Sequence, residues 1–188
     1  MRDPKNALWS ERAPDVYRVR VDTSKGPVVL EVTRALAPRG ADRFYHLVET
    51  GFYDDSRFFR VIAGRFAQFG IPGNPSIAGV WRNQQFPDDP VRASNVRGTF
   101  AYAMTGPGAR TTQIYIHTSD QPQQDTQGFA PFGVVDGKGM NVVEMMYDGY
   151  GDSAGPDQEQ LEKQGDPYLL KGWPKLDHIK SATLIEAQ

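Results

Sequence analysis

The sequence predicts a mainly β protein, folded as a closed barrel with two helices set against it. Three observations carry that expectation. Short runs with apolar residues at alternate positions recur along the chain, bounded by turn formers. Only two substantial stretches show helical spacing. The remaining connections are polar and rich in Gly and Pro. Closure is expected because a barrel removes the unpaired strand edges that would otherwise template aggregation.

The elements follow in chain order. Residues 1–15 are polar, with Pro4 and Pro14, and read as an irregular arm. "YRVRVDTSKGPVVLEVT" alternates on both sides of Ser24-Lys25-Gly26-Pro27, which is a hairpin signal. Ala41, Phe44, Leu47 and Val48 recur at three- and four-residue spacing before Gly51, predicting an amphipathic helix over 38–50. Strands are expected at 57–62, 66–69, 98–104, 113–117 and 132–135. The segment 70–97 carries so many Gly and Pro residues that no regular structure is expected there. "MNVVEMMYDGYG" predicts a short second helix ending before Gly149, with Met145, Met146 and Tyr147 as core packing. The segment 148–175 is polar, with one helical turn near 157–163, and "HIKSATLI" closes the chain as a strand. We therefore expect an arm over 1–15 and one barrel domain over 16–188, with a polar insertion at about 148–175 that serves as a packed connector.

Bulk properties exclude several classes. A formal charge of −2, with basic residues scattered, gives no general attraction to nucleic acid or anionic lipid. The absence of cysteine removes disulfides, thiolate nucleophiles and Cys-ligated zinc. His46, His117 and His178 have no metal-ligand spacing, and His46 is expected at or near the surface. Asp54-Asp55 and Asp88-Asp89 read as solvated turn residues rather than a catalytic carboxylate pair. No apolar run reaches membrane-spanning length, and residues 1–15 lack a secretory h-region. A cytoplasmic location follows if Met1 is the native start, and a periplasmic or exported one if a leader was removed.

"FFRVIAGRFAQFG", residues 58–70, raises the functional question, because an apolar hairpin here carries Arg60 and Gln68. If Ala63-Gly64-Arg65 is a three-residue turn, Ile62 faces Phe66, Val61 faces Ala67 and Arg60 faces Gln68. The two polar groups then emerge side by side on one face, with Phe58, Ile62 and Phe66 around them. An apolar floor with a few placed donors is how a ligand site is built. "AYAMTGPGARTTQIYI" adds a second strand pair in which Gln113 and Tyr115 share a face. Its Gly-Pro-Gly loop runs from strand to strand without a Lys, which discounts phosphate binding.

Together with "FAPFGVVDGKGMNVVE", these blocks resemble the cyclophilins, the barrel-shaped peptidyl-prolyl cis/trans isomerases. The first is similar to the family's Phe-His-Arg-Val-Ile-x-Gly-Phe-Met-x-Gln-Gly-Gly segment, and the second to its Ala-Gly-Pro…Gln-Phe-Phe-Ile segment. The third is similar to its Phe-Gly-x-Val-x-x-Gly-Met-x-Val-Val region. The match runs in order from about residue 16 to 147, and "IKSATLI" resembles the closing strand. The resemblance implies an eight-stranded antiparallel barrel with helices capping its ends, and isomerisation of Xaa-Pro bonds in peptides and protein clients. It implies Arg60 as the catalytic residue. Gln68, Gln113, Phe66, Tyr115, Ala103, Met104, Thr105 and Phe129 would bind substrate. No cofactor or metal is implied, and a closed barrel with no edge to share implies a monomer. Arg65, Gln123 and Gln124 depart from the apolar residues usual at their positions, and Phe129 replaces a histidine. These changes make one wall of the pocket less apolar and weaken the case for cyclosporin-type ligands. The competing reading is a proline-peptide scaffold module on the same fold with little turnover. An unrelated small-ligand barrel would require the order of motifs to be coincidence.

Overall fold

A computed structural model describes residues 3–186. The expected arm and barrel domain also include Met1, Arg2, Ala187 and Gln188, which lie outside the described residues. The elements are β1 (Val16–Thr23), β2 (Gly26–Thr33), α1 (Pro38–Glu49), β3 (Arg60–Ile62), β4 (Phe66–Phe69) and α2 (Pro75–Trp81). There follow β5 (Thr99–Tyr102), β6 (Ile114–His117), β7 (Gly133–Val135), α3 (Gly139–Val143), α4 (Gln158–Gln164), α5 (Asp166–Gly172) and β8 (Ile179–Ile185). The strands form one antiparallel sheet in the order β3-β4-β6-β5-β7-β2-β1-β8.

The fold is the expected mainly β one, but "closed" overstates it. The sheet curls until its edges β3 and β8 approach, yet they share no ladder. They meet only ahead of each strand, at an isolated Arg57↔His178 bridge flanked by Phe58 N–H to Asp177 O (2.9 Å) and Ile179 N–H to Ser56 O (2.8 Å). The expected strand over 57–62 is interrupted at residues 58–59, so β3 keeps only three residues. That interruption also reverses the alternation. Phe58 turns into the core against Phe69 (5.3 Å between ring centroids) and does not flank Arg60 as the simple period-two pattern requires.

The barrel interior is filled from both strands of the hairpin β1–β2 and by α1. Val19, Val21, Leu30 and Val32 alternate inward along the two strands. The helix buries Ala41, Phe44, Leu47 and Val48, as its spacing predicts. Phe44 meets Phe132 edge-on at 5.6 Å, and Phe132 meets Phe100 edge-on at 4.7 Å, geometries that aromatic quadrupoles favour.

Several local expectations are corrected by packing. The arm contains a 3₁₀ turn at Ala7–Ser10, and Trp9 packs edge-on against Trp81 at 4.6 Å. Its Glu11 carbonyl lies 3.0 Å from His46 Nε2, so that histidine is buried. The segment 70–97 contains α2, whose Asn74 side chain caps Ser76 N–H at 3.0 Å and whose Pro75 occupies the first turn. Proline there is a helix former, because the first-turn N–H has no intrahelical partner to lose. Asp89 is not a solvated turn residue; its carboxylate accepts from the N–H groups of Arg39 and Gly40 at the start of α1 (3.0 and 2.9 Å). The second helix is shorter than expected, and Met145, beyond its end, is exposed while Met146 is buried.

The segment 148–175 is more helical than its composition suggests. Asp157 caps α4 by accepting from Gln160 N–H (2.8 Å), and Gly165, at φ +66°, reverses the chain into α5. Leu161, Leu169 and Leu176 join Phe59, Ile71 and Ala78 in a second small core, edged by Tyr150, Tyr168 and Trp173. Phe59, the neighbour of Arg60, is thereby one of the residues through which this segment packs on the barrel.

Candidate functional site

The hairpin β3–β4 has the register the sequence predicts: Arg60 opposite Gln68, Val61 opposite Ala67, Ile62 opposite Phe66. Gly64 takes φ +65° in the three-residue turn. On its other edge β4 pairs with β6, so Gln68 faces Tyr115 and Phe66 faces His117. Val61 and Ala67 point into the barrel core, while Arg60, Gln68, Ile62 and Phe66 occupy the outer face.

Two surfaces meet there. The first is apolar: Phe66, Ala101 and Tyr115 are buried together, with Ile62, Ala103 and Phe129 packed around them. Tyr115 lies 5.6 Å from Phe66 and 5.9 Å from Phe129 between ring centroids. The second is a polar relay. Arg60 Nη1 donates to Gln68 Oε1 at 3.3 Å, and Gln68 Nε2 donates to Gln113 Oε1 at 2.8 Å. The guanidinium carbon sits 4.9 Å from the Phe66 ring centroid, so cation and apolar floor touch. A cavity of about 170 Å³ opens over this junction, lined by Arg60, Gln68, Ala103, Met104, Thr105 and Gln113. A larger cavity of about 550 Å³ lies elsewhere, among Asp54, Asp55, Gly73 and Asp166. Among the described residues, no cluster of His, Asp and Glu is arranged to hold a metal ion.

Arg60, Gln68, Gln113, Ala103, Met104 and Thr105 line the cavity and Phe66, Tyr115, Ile62 and Phe129 form the adjoining apolar cluster, whereas Phe58, expected beside them, lies in the barrel core. The departures have different consequences from those expected. Arg65 is exposed in the turn, its guanidinium carbon 5.9 Å from the Phe66 ring, and takes no part in the apolar cluster. Gln123 is exposed and bonds to Gln121. Gln124 accepts from the Tyr115 hydroxyl at 2.7 Å, and its Oε1 lies 3.0 Å from His117 Nε2. It fixes the Tyr115 ring from its polar end, so the wall stays apolar where the rings meet. Burial pushes the Tyr115 phenol well above its ordinary range, so it stays a neutral donor. Burial likewise lowers His117, against the opposing bonds to Gln124 and Thr99.

Two further networks hold the rim. Asp125 accepts from Ser94 Oγ (2.6 Å) and Asn95 Nδ2 (2.7 Å), and Asn95 Nδ2 also reaches the Phe129 carbonyl at 2.9 Å. Asp88 accepts from Gly108 N–H (2.8 Å) and from Nε of the buried Arg110 (2.9 Å), tying the Gly-Pro-Gly loop to the segment before β5.

Sequence reasoning missed the contribution of 148–175. Asp152 accepts from Arg60 Nε at 2.6 Å, and Gln158, at the start of α4, lines the cavity. No local signal marks either residue, since 92 positions separate Asp152 from its partner.

The sequence profile of the family described as "Cyclophilin type peptidyl-prolyl cis-trans isomerase/CLD" matches residues 18–164. A Rhizopus delemar protein described as "Peptidyl-prolyl cis-trans isomerase-like 1" is 34% identical over 135 residues, 68% of this chain and 78% of its own. A Helicobacter pylori "Peptidyl-prolyl cis-trans isomerase" is 26% identical over 129 residues, 69% of this chain and 79% of its own. Among solved structures, a Cryptosporidium parvum cyclophilin-type peptidyl-prolyl cis-trans isomerase superposes with a TM-score of 0.67 at 22% identity, covering 92% of this chain and 99% of that one. The same Cryptosporidium protein was also solved in the presence of the dipeptide Ala-Pro, and that structure superposes with a TM-score of 0.65.

Proposed function

This chain belongs to the cyclophilin-type peptidyl-prolyl cis-trans isomerase family, and on that premise we propose that Arg60 is the residue that catalyses its isomerisation of Xaa-Pro bonds. The observation that carries this reading is one fixed cation beside an aromatic pocket, linked to two glutamines.

The chemistry explains why these groups suffice. Rotation about a peptide bond is opposed by C–N double-bond character, a barrier of roughly 18–20 kcal/mol. Twisting breaks the conjugation and leaves a lone pair on the prolyl nitrogen. A guanidinium that hydrogen-bonds that lone pair stabilises the twisted state over either planar isomer, which is differential binding of the transition state. Arginine suits this because it stays charged and its donors lie in a rigid plane. In this reading the proline ring enters the cluster of Phe66, Tyr115 and Phe129. Gln68 and Gln113 hold the peptide backbone, and Ala103, Met104 and Thr105 keep it extended along the cavity. Proton transfer, a nucleophile and a bound metal have no part in these steps. Protein clients with exposed Xaa-Pro segments and a monomeric working state belong to the same reading. So does weak cyclosporin-type binding, because the exposed Arg65 lies beside Phe66.

The test is Arg60→Ala, assayed by NMR exchange on a short Xaa-Pro peptide. Loss of one preorganised transition-state donor typically costs about 10²–10³ in kcat, and a fall of that size is expected here. Unchanged catalysis by a folded Arg60→Ala protein would remove Arg60 from the mechanism. Peptide binding without catalysis in the wild type would favour the scaffold reading instead.

A further inference from the structure

We propose that Asp152, supplied by the segment between α3 and β8, is a positioning residue for Arg60. The inference rests on Arg60 being the catalytic group.

A guanidinium has five N–H donors in one plane, and its side chain has rotamer freedom that must be removed before one donor can meet a twisting peptide. Asp152 Oδ1 binds Nε, the donor nearest the stem, at 2.6 Å. Gln68 Oε1 binds Nη1 at 3.3 Å, and the Phe66 ring lies under the guanidinium carbon at 4.9 Å. Two in-plane contacts and one face contact orient the group, and among the described residues no hydrogen bond occupies Nη2. The ion pair thus engages the inner part of the fork and leaves an outer donor for the prolyl nitrogen. A carboxylate placed to quench the cation would instead sit across the outer nitrogens. Arg60 in turn holds the Asp152 carboxyl below its ordinary range, so the acceptor is ionised at neutral pH.

Asp152 is itself anchored. Gly151 N–H bonds Asp148 O at 2.8 Å, and Trp173 Nε1 donates to Ala154 O at 2.8 Å. Tyr150 and Trp173 edge the second core, whose other wall is Phe59. The residue before Arg60 and the segment that supplies the carboxylate thus pack into one apolar cluster, which ties together the two ends of the ion pair. With side chains 34% and 57% exposed, the pair adds little to stability, so its deletion leaves a folded protein. Its effect is on orientation, which strengthens when a bound peptide displaces water from the cavity.

The experiment compares wild type, Asp152→Ala, Asp152→Asn and Arg60→Ala by NMR exchange on a short Xaa-Pro peptide, with kcat and KM separated. Asp152→Ala is expected to lower kcat about tenfold, with KM changed less than about twofold. Asp152→Asn keeps an acceptor and is expected to recover much of the loss, and Asp152→Ala adds nothing in an Arg60→Ala background. The Arg60 Nε–H resonance, slowed in exchange by the ion pair, is expected to broaden in Asp152→Ala. Unchanged or increased kcat in Asp152→Ala would overturn the proposal, as would a loss confined to KM. If Arg60→Ala itself leaves catalysis intact, it is the assignment of Arg60 that fails, and the two failures are distinguishable.

Discussion

Replacing Arg60 by lysine separates charge from geometry. Lysine keeps the cation but offers one tetrahedral nitrogen in place of a planar fork. Arg60 reaches Asp152 at 2.6 Å and Gln68 at 3.3 Å at the same time while lying over Phe66. One ammonium cannot make both bonds and also approach the prolyl nitrogen. Suppose it stays on Asp152 and its charge retreats from about 3 to about 6 Å from that nitrogen. With half a unit of charge developing there and an effective dielectric constant near 20, the lost interaction is about 1.4 kcal/mol. That is about tenfold in rate, against the 10²–10³ expected for Arg60→Ala. Folding stability changes by no more than about 1 kcal/mol, because both partners of the ion pair are partly solvated. Exchange NMR on a Xaa-Pro peptide gives the rate, and thermal unfolding gives the stability. An Arg60→Lys enzyme within about twofold of wild type would mean that charge alone suffices and that a planar, preoriented fork is not needed.

Two other predictions follow from the scaffold around the site. Gly70 has φ +109°, and a Cβ there would lie 2.5 Å from the Thr112 carbonyl oxygen and 2.9 Å from Gln113 Cα, both backbone. Gly70→Ala should cost roughly 2–5 kcal/mol in urea unfolding and raise KM by displacing Gln113; a loss below about 0.5 kcal/mol would show that the close approach is soft. Asp125 titrates below the usual carboxylate range, chiefly because Ser94 donates to it, with Asn95 adding to the effect. A depressed folded value stabilises the protein above the unfolded carboxyl pKa, so this contribution is complete above about pH 5 and is lost as pH falls through and below about 4. In Asp125→Asn that part of the acid slope should vanish and the Phe129 resonances should shift; an unchanged acid slope would remove Asp125 from the linkage.

Short-range periodicity and a tight turn made much of this fold legible in the residues alone. The hairpin around Gly64 forces Arg60 opposite Gln68, because a three-residue loop and a two-residue side-chain period leave no other register. Alternation in β1 and β2 and the 3–4 spacing of α1 likewise survived into the structure, since each buries one continuous face. The order of motifs was enough to place the family. Where sequence and structure differ, the deciding partner is remote. Proline in 70–97 reads locally as a breaker, although Asn74-Pro75 is a helix start and Trp81 gives that helix a buried face. Phe58 alternates with Arg60 in sequence but not in space, because residues 58–59 leave the ladder where the edges of the sheet approach. Asp89 reads in sequence as a solvated turn acid and Asp152 as one more polar residue of 148–175; one caps α1 from 50 positions away and the other bonds Arg60 from 92. Only the tertiary structure could decide these, because a carboxylate's role is set by which donors lie within about 3 Å of it, and chain separation carries no record of that distance.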